Sequence, residues 1–146
     1  MENLKIAIAS DHAGFDYKEK IRQYLIKKGQ QVHDFGTYDK KQDDYPDWIR
    51  PAARAVASGE YELGIILGGS GNGEAMVANR IKGIRCAVCW NTKSAPLAKE
   101  HNNANMISLG QRMMSYKTTL RIINTWLKAQ FQGGRHLGRI NKIEKE

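Results

Sequence analysis

The stretch LGIILGGSGNGEAMVANR, residues 63–80, joins an apolar run to a glycine-rich turn and then to a helical pattern. The run 63–69 holds no polar side chain, which predicts a strand buried on both faces, as in a parallel sheet. The segment 72–83 then has the pattern of a short helix. A strand that passes through a glycine turn into a helix is typical of doubly wound α/β proteins.

The same alternation continues on both sides of this stretch, with apolar runs separated by helical patterns. The predicted strands are 4–10, 31–36, 63–69, 84–90 and 104–110. The predicted helices are 14–29, 47–59, 72–83, 91–101 and 115–131, the second capped by Asp47 and the last burying Tyr116, Leu120, Ile123 and Leu127. We therefore expect a single-domain, Rossmann-like α/β/α sandwich around a five-stranded parallel sheet.

The composition is that of an ordinary globular domain, with 146 residues of which 41% are hydrophobic and 26% are charged. No apolar run approaches the roughly 20 residues that span a bilayer. The first apolar stretch is interrupted by Asp11 and His12 before it reaches the length of a signal peptide. We therefore expect a cytoplasmic protein that does not enter a membrane.

The two cysteines, Cys86 and Cys89, form a CAVC motif that is compatible with a redox pair or with half of a zinc site. The sequence has no second cysteine pair to complete a zinc site. Residues three apart on a strand also point to opposite faces of the sheet. We therefore expect two inert core thiols and no metal site.

The glycine loop, residues 68–73, does not fit the known nucleotide fingerprints. A dinucleotide motif requires a third glycine where the sequence has Glu74 or Met76, and no Gly-Lys-Ser/Thr follows for a P-loop. What remains is a nest of backbone N–H groups that favours negative charge. Glu74 is then either a carboxylate that suits a helix N-terminus or a base beside an oxyanion cradle, and the residues alone leave both open.

Ligands of parallel sheets bind at the carboxyl ends of the strands. This rule selects four segments: residues 10–12 after the first strand, with Asp11 and His12; the loop 68–73; residues 90–91 after the fourth strand; and residues 110–112 after the fifth strand, with Arg112. The turn DDYPDW, residues 43–48, is a second candidate for a wall of this cleft. His101 precedes the fifth predicted strand, so by the same rule it lies at the wrong end of that strand for the cleft, unless helix 91–101 or a partner chain brings it to a site.

Positive charge is concentrated at the C-terminus. The chain has a net charge of +8, of which residues 110–146 supply +6, from eight Lys or Arg against Glu144 and Glu146. Such a tail suits nucleic acid, a small phosphorylated ligand or plain solvation. The segment GGRHLGR, residues 133–139, offers arginine forks for phosphate oxygens. Zinc ligands and interleaved aromatic residues are missing from the tail, so nothing specific favours nucleic acid.

The motifs as a set resemble the ribose-5-phosphate isomerase B family, whose relatives include galactose-6-phosphate isomerase subunits. They are SDHAG, DYPD, GGSGNGE, AN-x-x-KG-x-R, HNNAN, LG-x-R and GGRH-x-x-R, in this order along almost the whole chain. The resemblance implies a Rossmann-like fold that dimerises and uses neither metal nor nucleotide. It also implies interconversion of an aldose phosphate and a ketose phosphate through a cis-enediolate.

Many members of the family carry a cysteine base in a CGTG version of the loop, where this sequence has Gly68. The resemblance is instead to the subgroup with GGSGNGE, in which the glutamate is the base, so it implies Glu74 as the base and His101 as the acid/base that opens the sugar ring. It implies further site residues as follows: an oxyanion cradle of Gly69, Ser70, Gly71, Asn72 and Gly73; substrate contacts from Asp11, His12 and Asn102; and a phosphate clamp of Arg112, Arg135, His136 and Arg139.

The family's sites are shared between two subunits, which implies that the basic tail, residues 131–146, reaches over a neighbour. We therefore expect a homodimer or a tetramer that binds a sugar phosphate, with no cofactor and no nucleic acid. Ribose 5-phosphate is the expected substrate. Another pentose, tetrose or hexose phosphate, galactose 6-phosphate among them, is the alternative. A non-catalytic module that binds phosphate or nucleic acid is the alternative from another class, and the joint presence of Glu74 and His101 argues against it.

Overall fold

The computed structural model describes residues 3–145. Its five strands form one parallel sheet in the order β2-β1-β3-β5-β4. The strands are β1 (Lys5–Ser10), β2 (Gln31–Asp34), β3 (Leu63–Gly68), β4 (Cys86–Val88) and β5 (Met106–Gly110). The helices are α1 (Phe15–Lys27), α2 (Tyr45–Ala57), α3 (Asn72–Ala78), α4 (Ser94–Asn102), α5 (Tyr116–Lys128) and α6 (Arg135–Ile140), with a 3₁₀ turn at His12–Gly14 before α1.

The sheet is buried on both faces, because alternate residues of its central strands enter two separate cores. Ile6 and Ile8 of β1 pack under α1, α4 and α5, together with the fully buried Trp126. Ala7 and Ala9 of the same strand pack under α2 and α3. The predicted α/β/α sandwich with five parallel strands is thereby confirmed. None of the helices in residues 3–145 is both long and apolar enough to span a membrane.

Helix α2 begins earlier than the sequence predicts. It starts at Tyr45, with Asp44 in the capping position, so the prediction of Asp47 as cap is wrong. Pro46 lies in the first turn, where its fixed φ favours the helix and its missing N–H leaves no bond unmade. The proline therefore sets the start of the helix, and Asp47 lies inside the first turn.

Helix α3 and strand β4 are shorter than predicted. Helix α3 ends at Ala78 instead of near Gly83. The Asn79 side chain turns back to the chain after the helix, accepting from the Cys86 N–H at 2.8 Å and donating to the Cys86 carbonyl at 2.9 Å. These two bonds compete with continuation of the helix. Strand β4 is reduced to three residues at the edge of the sheet.

The buried face of α5 agrees with the predicted one in part, since Ile123 and Leu127 are buried as predicted. Its buried residues are Thr119, Ile122, Ile123, Trp126 and Leu127. Leu120 is only half-buried, so its prediction as a core residue was wrong. The helix is rotated so that Trp126, its largest side chain, lies at the centre of the apolar face.

The two cysteines are free thiols that enter different cores. Cys89 is fully buried beneath α1, α4 and α5, whereas Cys86 is half-buried and packs toward α2 and α3. Burial raises the pKa of Cys89 to about 12, and it raises the pKa of Cys86 further. Both side chains are therefore neutral thiols at physiological pH.

The polar tail contains structure that the sequence pattern does not predict. Residues Arg135–Ile140 form α6, which packs against α4. His136 is its one buried residue, while Arg135 and Arg139 are exposed. Residue 146, the last of the predicted tail, lies outside the described residues. The tail is also bonded to its own domain on either side of α6: the Gln132 N–H donates to the Glu100 carbonyl at 3.0 Å, and Glu144 accepts from the Gly83 N–H at 2.8 Å. It is therefore anchored to its own domain and presents its arginines outward.

Candidate active site

The site lies at the carboxyl ends of β1 and β3, from which the chain continues to opposite sides of this strand pair. Strands β1 and β3 are neighbours, but β2 lies on one side of the pair and β5 on the other. A crevice opens at the carboxyl ends of strands at such a switch point. Asp11, which follows β1, donates its N–H to the Leu67 carbonyl of β3 at 3.4 Å. The two predicted site segments, SDHAG and the glycine loop, are thereby adjacent.

The glycine loop is held in place by hydrogen bonds from β5 and from the turn that follows it. The N–H groups of Gln111 and Arg112 donate to the carbonyls of Gly68 and Gly69 at 2.9 and 3.0 Å. Ser108, a polar residue in the centre of the sheet, donates its hydroxyl to the Gly71 carbonyl at 2.6 Å. Because these bonds take carbonyl oxygens, the carbonyls of the loop point into the protein.

Gly71 is required by its conformation as well as by its surroundings. Its φ is +86°, in the left-handed region, and a Cβ there would lie 2.9 Å from the Ser108 hydroxyl. The N–H groups of Gly69, Ser70 and Gly71 donate to no acceptor within residues 3–145. A loop with inward carbonyls and free N–H groups is a cradle for a negatively charged oxygen.

Glu74 lies on α3 immediately beside this cradle and is only 4% exposed. Burial raises its pKa, the negative charge of Asp11 raises it further, and a hydrogen bond from its own backbone N–H partly opposes both effects. A higher pKa makes the carboxylate a stronger base than a free glutamate. Its carboxylate packs directly over Gly68, and a Cβ on that residue would overlap it.

Asp11 and His12 lie on the opposite wall of the crevice. One oxygen of the buried Asp11 accepts from the Gly14 N–H at 3.1 Å and so caps the 3₁₀ turn. The half-buried His12 contacts Asp43 through its ring Nδ1 at 2.8 Å. The side-chain oxygens of Asp11 and Asp43 and a ring nitrogen of His12 lie within 4.8 Å of one another, in a geometry that a metal ion could also occupy.

Two members of this wall were not selected individually from the sequence. Asp43 contacts His12, and the Tyr45 ring packs over Gly73 so closely that a Cβ there would come within 2.6 Å of it. Both belong to the turn DDYPDW, for which the sequence predicts only a general place in a wall of the cleft. Their spacing from the glycine loop gives no local signal, because the contact is made by the start of α2 crossing the end of the sheet.

Arg112 belongs to the crevice, since its side chain lies over Gly69, where a Cβ would come within 3.1 Å of the guanidinium. It is exposed and follows β5 at the same edge of the sheet as Glu74. The other predicted members of the phosphate clamp, Arg135, His136 and Arg139, lie on α6. A single chain therefore divides the predicted clamp into two parts.

The second part of the predicted site surrounds His101. The rings of His101 and His136 are stacked with centroids 4.5 Å apart, and Asn102 and Arg139 line the same depression. Burial lowers the pKa of His136, and positive charge on His101, Arg135 and Arg139 adds to that effect. His136 Nε2 is buried without a hydrogen-bond partner in residues 3–145. In this group the exposed Arg135 and Arg139 carry the positive charge, while His136 is buried.

These two groups lie at opposite edges of the sheet, one formed by the carboxyl ends of the parallel strands and the other by their amino ends. Glu74 follows the carboxyl end of β3, whereas His101 is at the end of α4, just before β5 begins. Neighbouring parallel strands β3 and β5 are in register from Gly64 and Met106 to Gly68 and Gly110. One chain therefore holds a carboxylate with an oxyanion cradle at one edge and an imidazole with two arginines at the other.

Comparison with known proteins gives a consistent result. The chain matches the profile of the family described as Ribose/Galactose Isomerase over residues 6–143. It is 40% identical to ribose-5-phosphate isomerase B of Escherichia coli, with 95% of this chain and 93% of the relative covered.

Two solved structures are also similar to it. Ribose-5-phosphate isomerase B of Clostridium thermocellum superposes with a TM-score of 0.95 at 47% identity, covering 96% of this chain and 95% of that one. The enzyme of Mycoplasma genitalium with bound ribulose-5-phosphate superposes with a TM-score of 0.91 at 41% identity, covering 94% and 92%. The similarity thus extends over nearly the whole of each chain.

Proposed function

This chain belongs to the ribose/galactose isomerase family and is a sugar phosphate isomerase, and from that premise we propose that it interconverts ribose 5-phosphate and ribulose 5-phosphate. The observation that carries the proposal is the buried Glu74 carboxylate beside the free N–H groups of the glycine loop. Sequence identity of 40–47% to ribose-5-phosphate isomerases over at least 95% of the chain supports this choice of substrate.

In this reaction Glu74 takes the proton from C2 of the open-chain aldose. The electron pair moves to O1, which becomes an oxyanion, and the N–H groups of Gly69, Ser70 and Gly71 stabilise it in the cis-enediolate. Transfer of the O2 proton to O1 and return of the proton from Glu74 to C1 complete the ketose and leave the glutamate as a carboxylate. Burial suits Glu74 to this role, because the pKa that it raises brings the carboxyl group closer to neutral pH.

Gly68 supports the assignment of Glu74 as the base. This is the position at which many family members carry a cysteine base. Here a side chain at position 68 would overlap the Glu74 carboxylate. The two bases are therefore sterically exclusive in this backbone, and glycine at position 68 leaves room for the glutamate. Cys86 and Cys89 are not alternatives, since burial keeps both thiols neutral.

Most of the remaining roles belong to residues at the other edge of the sheet, where His101 and α6 lie. We assign ring opening of the cyclic sugar phosphate to His101, and phosphate binding to Arg135, His136 and Arg139. Asn102 beside His101, and Asp11 and His12 beside Glu74, contact the sugar hydroxyls. Because one chain holds these groups at opposite edges, a complete site requires two chains, with Glu74 from one and the α6 arginines from the other. Arg112 lies on the Glu74 side of that shared site.

The test of this function is a panel of phosphorylated sugars with the purified protein. We expect the highest kcat/KM for ribose 5-phosphate among pentose, tetrose and hexose phosphates, including galactose 6-phosphate. Higher kcat/KM for another sugar phosphate would reassign the substrate. In D2O the ketose should carry deuterium at C1, because the proton passes through Glu74 and exchanges there. Activity should survive dialysis against EDTA, since the cradle and not a metal ion stabilises the oxyanion.

A further inference from the structure

The side chain of Asp43 makes contacts that the proposed roles do not explain. Its Oδ1 accepts from the backbone N–H of His12 at 3.0 Å and lies 2.8 Å from Nδ1 of the same residue. Its Oδ2 accepts from the indole N–H of Trp48 at 3.0 Å. Both oxygens of one carboxylate are therefore occupied by donors from two different elements, and 31 residues separate the principal pair.

The protonation of this pair follows from its geometry. Burial alone raises the pKa of Asp43, but hydrogen bonds from the His12 side chain and backbone, Thr37 and Trp48 together lower it, so the group is a carboxylate at neutral pH. A carboxylate only accepts hydrogen bonds, so Nδ1 must carry the proton across the 2.8 Å contact. The 3.4 Å approach of the Asp43 N–H to Nδ1 is too long to compete with that bond.

We propose that Asp43 is a positioning residue of the isomerase, which holds His12 as the Nδ1–H tautomer and directs the lone pair of Nε2 to a sugar hydroxyl. A bond at one ring nitrogen fixes the state of the other, so the neutral ring presents an acceptor at Nε2. His12 retains 30% side-chain exposure, and Nε2 bonds to no residue in the described part of the chain. It lies beside Asp11, whose charge reaches Glu74.

The same hydrogen bonds explain why the side chains of His12 and Asp43 lie close together, without a metal ion between them. Both oxygens of Asp43 are occupied by protein donors, and Nδ1 of His12 is protonated toward one of them. A metal bound through Nδ1 would have to displace the proton that this nitrogen directs at Asp43, because a ligating nitrogen cannot also carry a proton. Trp48 packs in turn against Gly36, where a Cβ would overlap the indole ring. The Asp43 carboxylate is thus held in place from behind.

Asparagine at position 43 would break this arrangement in either orientation. One amide oxygen cannot serve both the His12 donors and the Trp48 indole, and the amide NH2 would face a donor on one side. We expect Asp43→Asn to reduce kcat/KM for the best sugar phosphate by about 10–100-fold, as for other groups that orient a site histidine. Asp39→Asn, in an exposed acid of the same loop, is the matched control and should stay within about threefold of wild type.

A double-mutant cycle separates positioning from simple loss of structure. If Asp43 acts through His12, Asp43→Asn in a His12→Ala background should lower kcat/KM by less than about threefold more. A further loss of tenfold or greater in that background would show that Asp43 serves the fold or another residue, and would overturn the proposal.

The second measurement does not use activity. Nitrogen-15 NMR of the imidazole ring in the wild-type protein, without ligand, should show the proton of neutral His12 on Nδ1, and Asp43→Asn should move the population toward Nε2–H. An Nε2–H tautomer in the wild type would overturn the proposal even if Asp43→Asn does not fold. The proposal rests on the proposed function for its role in turnover. A protein that isomerises no sugar phosphate but shows the Nδ1–H tautomer would refute the function and the role in turnover, and leave the Asp43–His12 pairing intact.

Discussion

The glycine loop after β3 and helix α6 at the C-terminus carry the two halves of the proposed site, and they are built differently. The loop is fixed by contacts inside its own domain: Ser108 holds the Gly71 carbonyl, the β5 turn holds two more, and Glu74 fills the space above Gly68. Helix α6 has one buried residue, His136, and exposes both of its arginines.

The difference follows from the chemistry asked of each half. An oxyanion cradle and a base must be placed to within a fraction of an ångström, and here hydrogen bonds and packing within one domain hold them in place. A phosphate is bound by charge and by guanidinium groups on long, flexible arginine side chains, so the segment that carries them can be less constrained. The arginines of one chain are then free to complete a site on another.

The largest effect is expected when the base is removed. Glu74→Gln keeps the shape and hydrogen bonding of the side chain but cannot accept the C2 proton, so kcat should fall by about 10²–10⁴-fold with KM nearly unchanged. Steady-state kinetics on the substrate chosen by the panel measures this. Glu60→Gln, in an exposed acid at the surface, is the control and should behave as wild type. A Glu74→Gln variant within about tenfold of wild type, equal to ~1.4 kcal/mol in the barrier, would remove Glu74 from the role of base.

The second prediction tests whether the halves come from different chains. Glu74→Gln and the double variant Arg135→Ala with Arg139→Ala should each be inactive. Unfolded, mixed and refolded together, they should form about half mixed dimers by random pairing, each with one intact site of two, so about a quarter of wild-type activity should return. If native mass spectrometry finds the mixed dimers and activity stays at the level of the parents, α6 serves its own chain.

Much of the glycine-loop half of the site can be predicted from the sequence, whereas little of the α6 half can. The apolar run before Gly68 and the glycines after it predict a strand, a turn and a helix from local pattern alone, and the confirmed sheet depends on the same signal. Helix α6 has no such pattern, because it is anchored by contacts with distant residues, such as the stacking of His136 on His101, 35 positions earlier in the chain.

Contacts between distant segments escape sequence reasoning for the same reason. The pairing of His12 with Asp43 depends on the start of α2 crossing the end of β1, which no periodicity records. Steric exclusion is also invisible in a motif. The glycine at position 68 is apparent from the sequence, but that its missing Cβ leaves room for the Glu74 carboxylate follows only from the packed structure.

The third prediction concerns that packing and is read as stability. Gly68→Ala places a methyl group where the Glu74 carboxylate lies and should lower the free energy of unfolding by about 1–3 kcal/mol, as overpacking does. Glu74→Ala in the same chain should restore most of the loss, although it abolishes activity. Urea unfolding of the two single variants and the double variant gives the coupling energy. Additive effects within about 0.5 kcal/mol would mean that the loop moves aside and that the two side chains do not exclude each other.

A smaller effect is expected on the pH dependence. The active form of Glu74 is the carboxylate, so kcat/KM should fall as pH drops through the pKa of Glu74, which burial and Asp11 raise above its ordinary value. Asp11→Asn removes the neighbouring charge and should move this acid limb to lower pH, while asparagine still caps the 3₁₀ turn. The maximum kcat/KM should fall as well, because we propose that Asp11 contacts the sugar. An acid limb that stays in place in Asp11→Asn would show that Asp11 does not act on Glu74.

The same raised pKa has a consequence for stability, with a definite sign. A carboxyl group whose pKa is higher in the folded state holds its proton more tightly there, so its contribution to stability is present below the unfolded pKa, about 4.3, and is lost as pH rises through the folded value. Glu74→Gln cannot ionise, and we expect its Tm to exceed that of wild type at neutral pH. The two should converge in acid, where thermal unfolding is followed by circular dichroism.

The smallest effect is expected from modification of the thiols. Iodoacetamide reacts with thiolates, and burial raises the pKa of Cys89 to about 12 and that of Cys86 further, so neither reacts appreciably at neutral pH. Activity should therefore stay within experimental error of the untreated protein, while intact mass spectrometry shows an unmodified chain. The denatured protein, in which both thiols are accessible, is the control for reagent potency. Inactivation of the folded protein that follows alkylation of Cys86 would place a reactive thiol on the α3 side of the sheet, beside Glu74, and would require a base other than the carboxylate above Gly68.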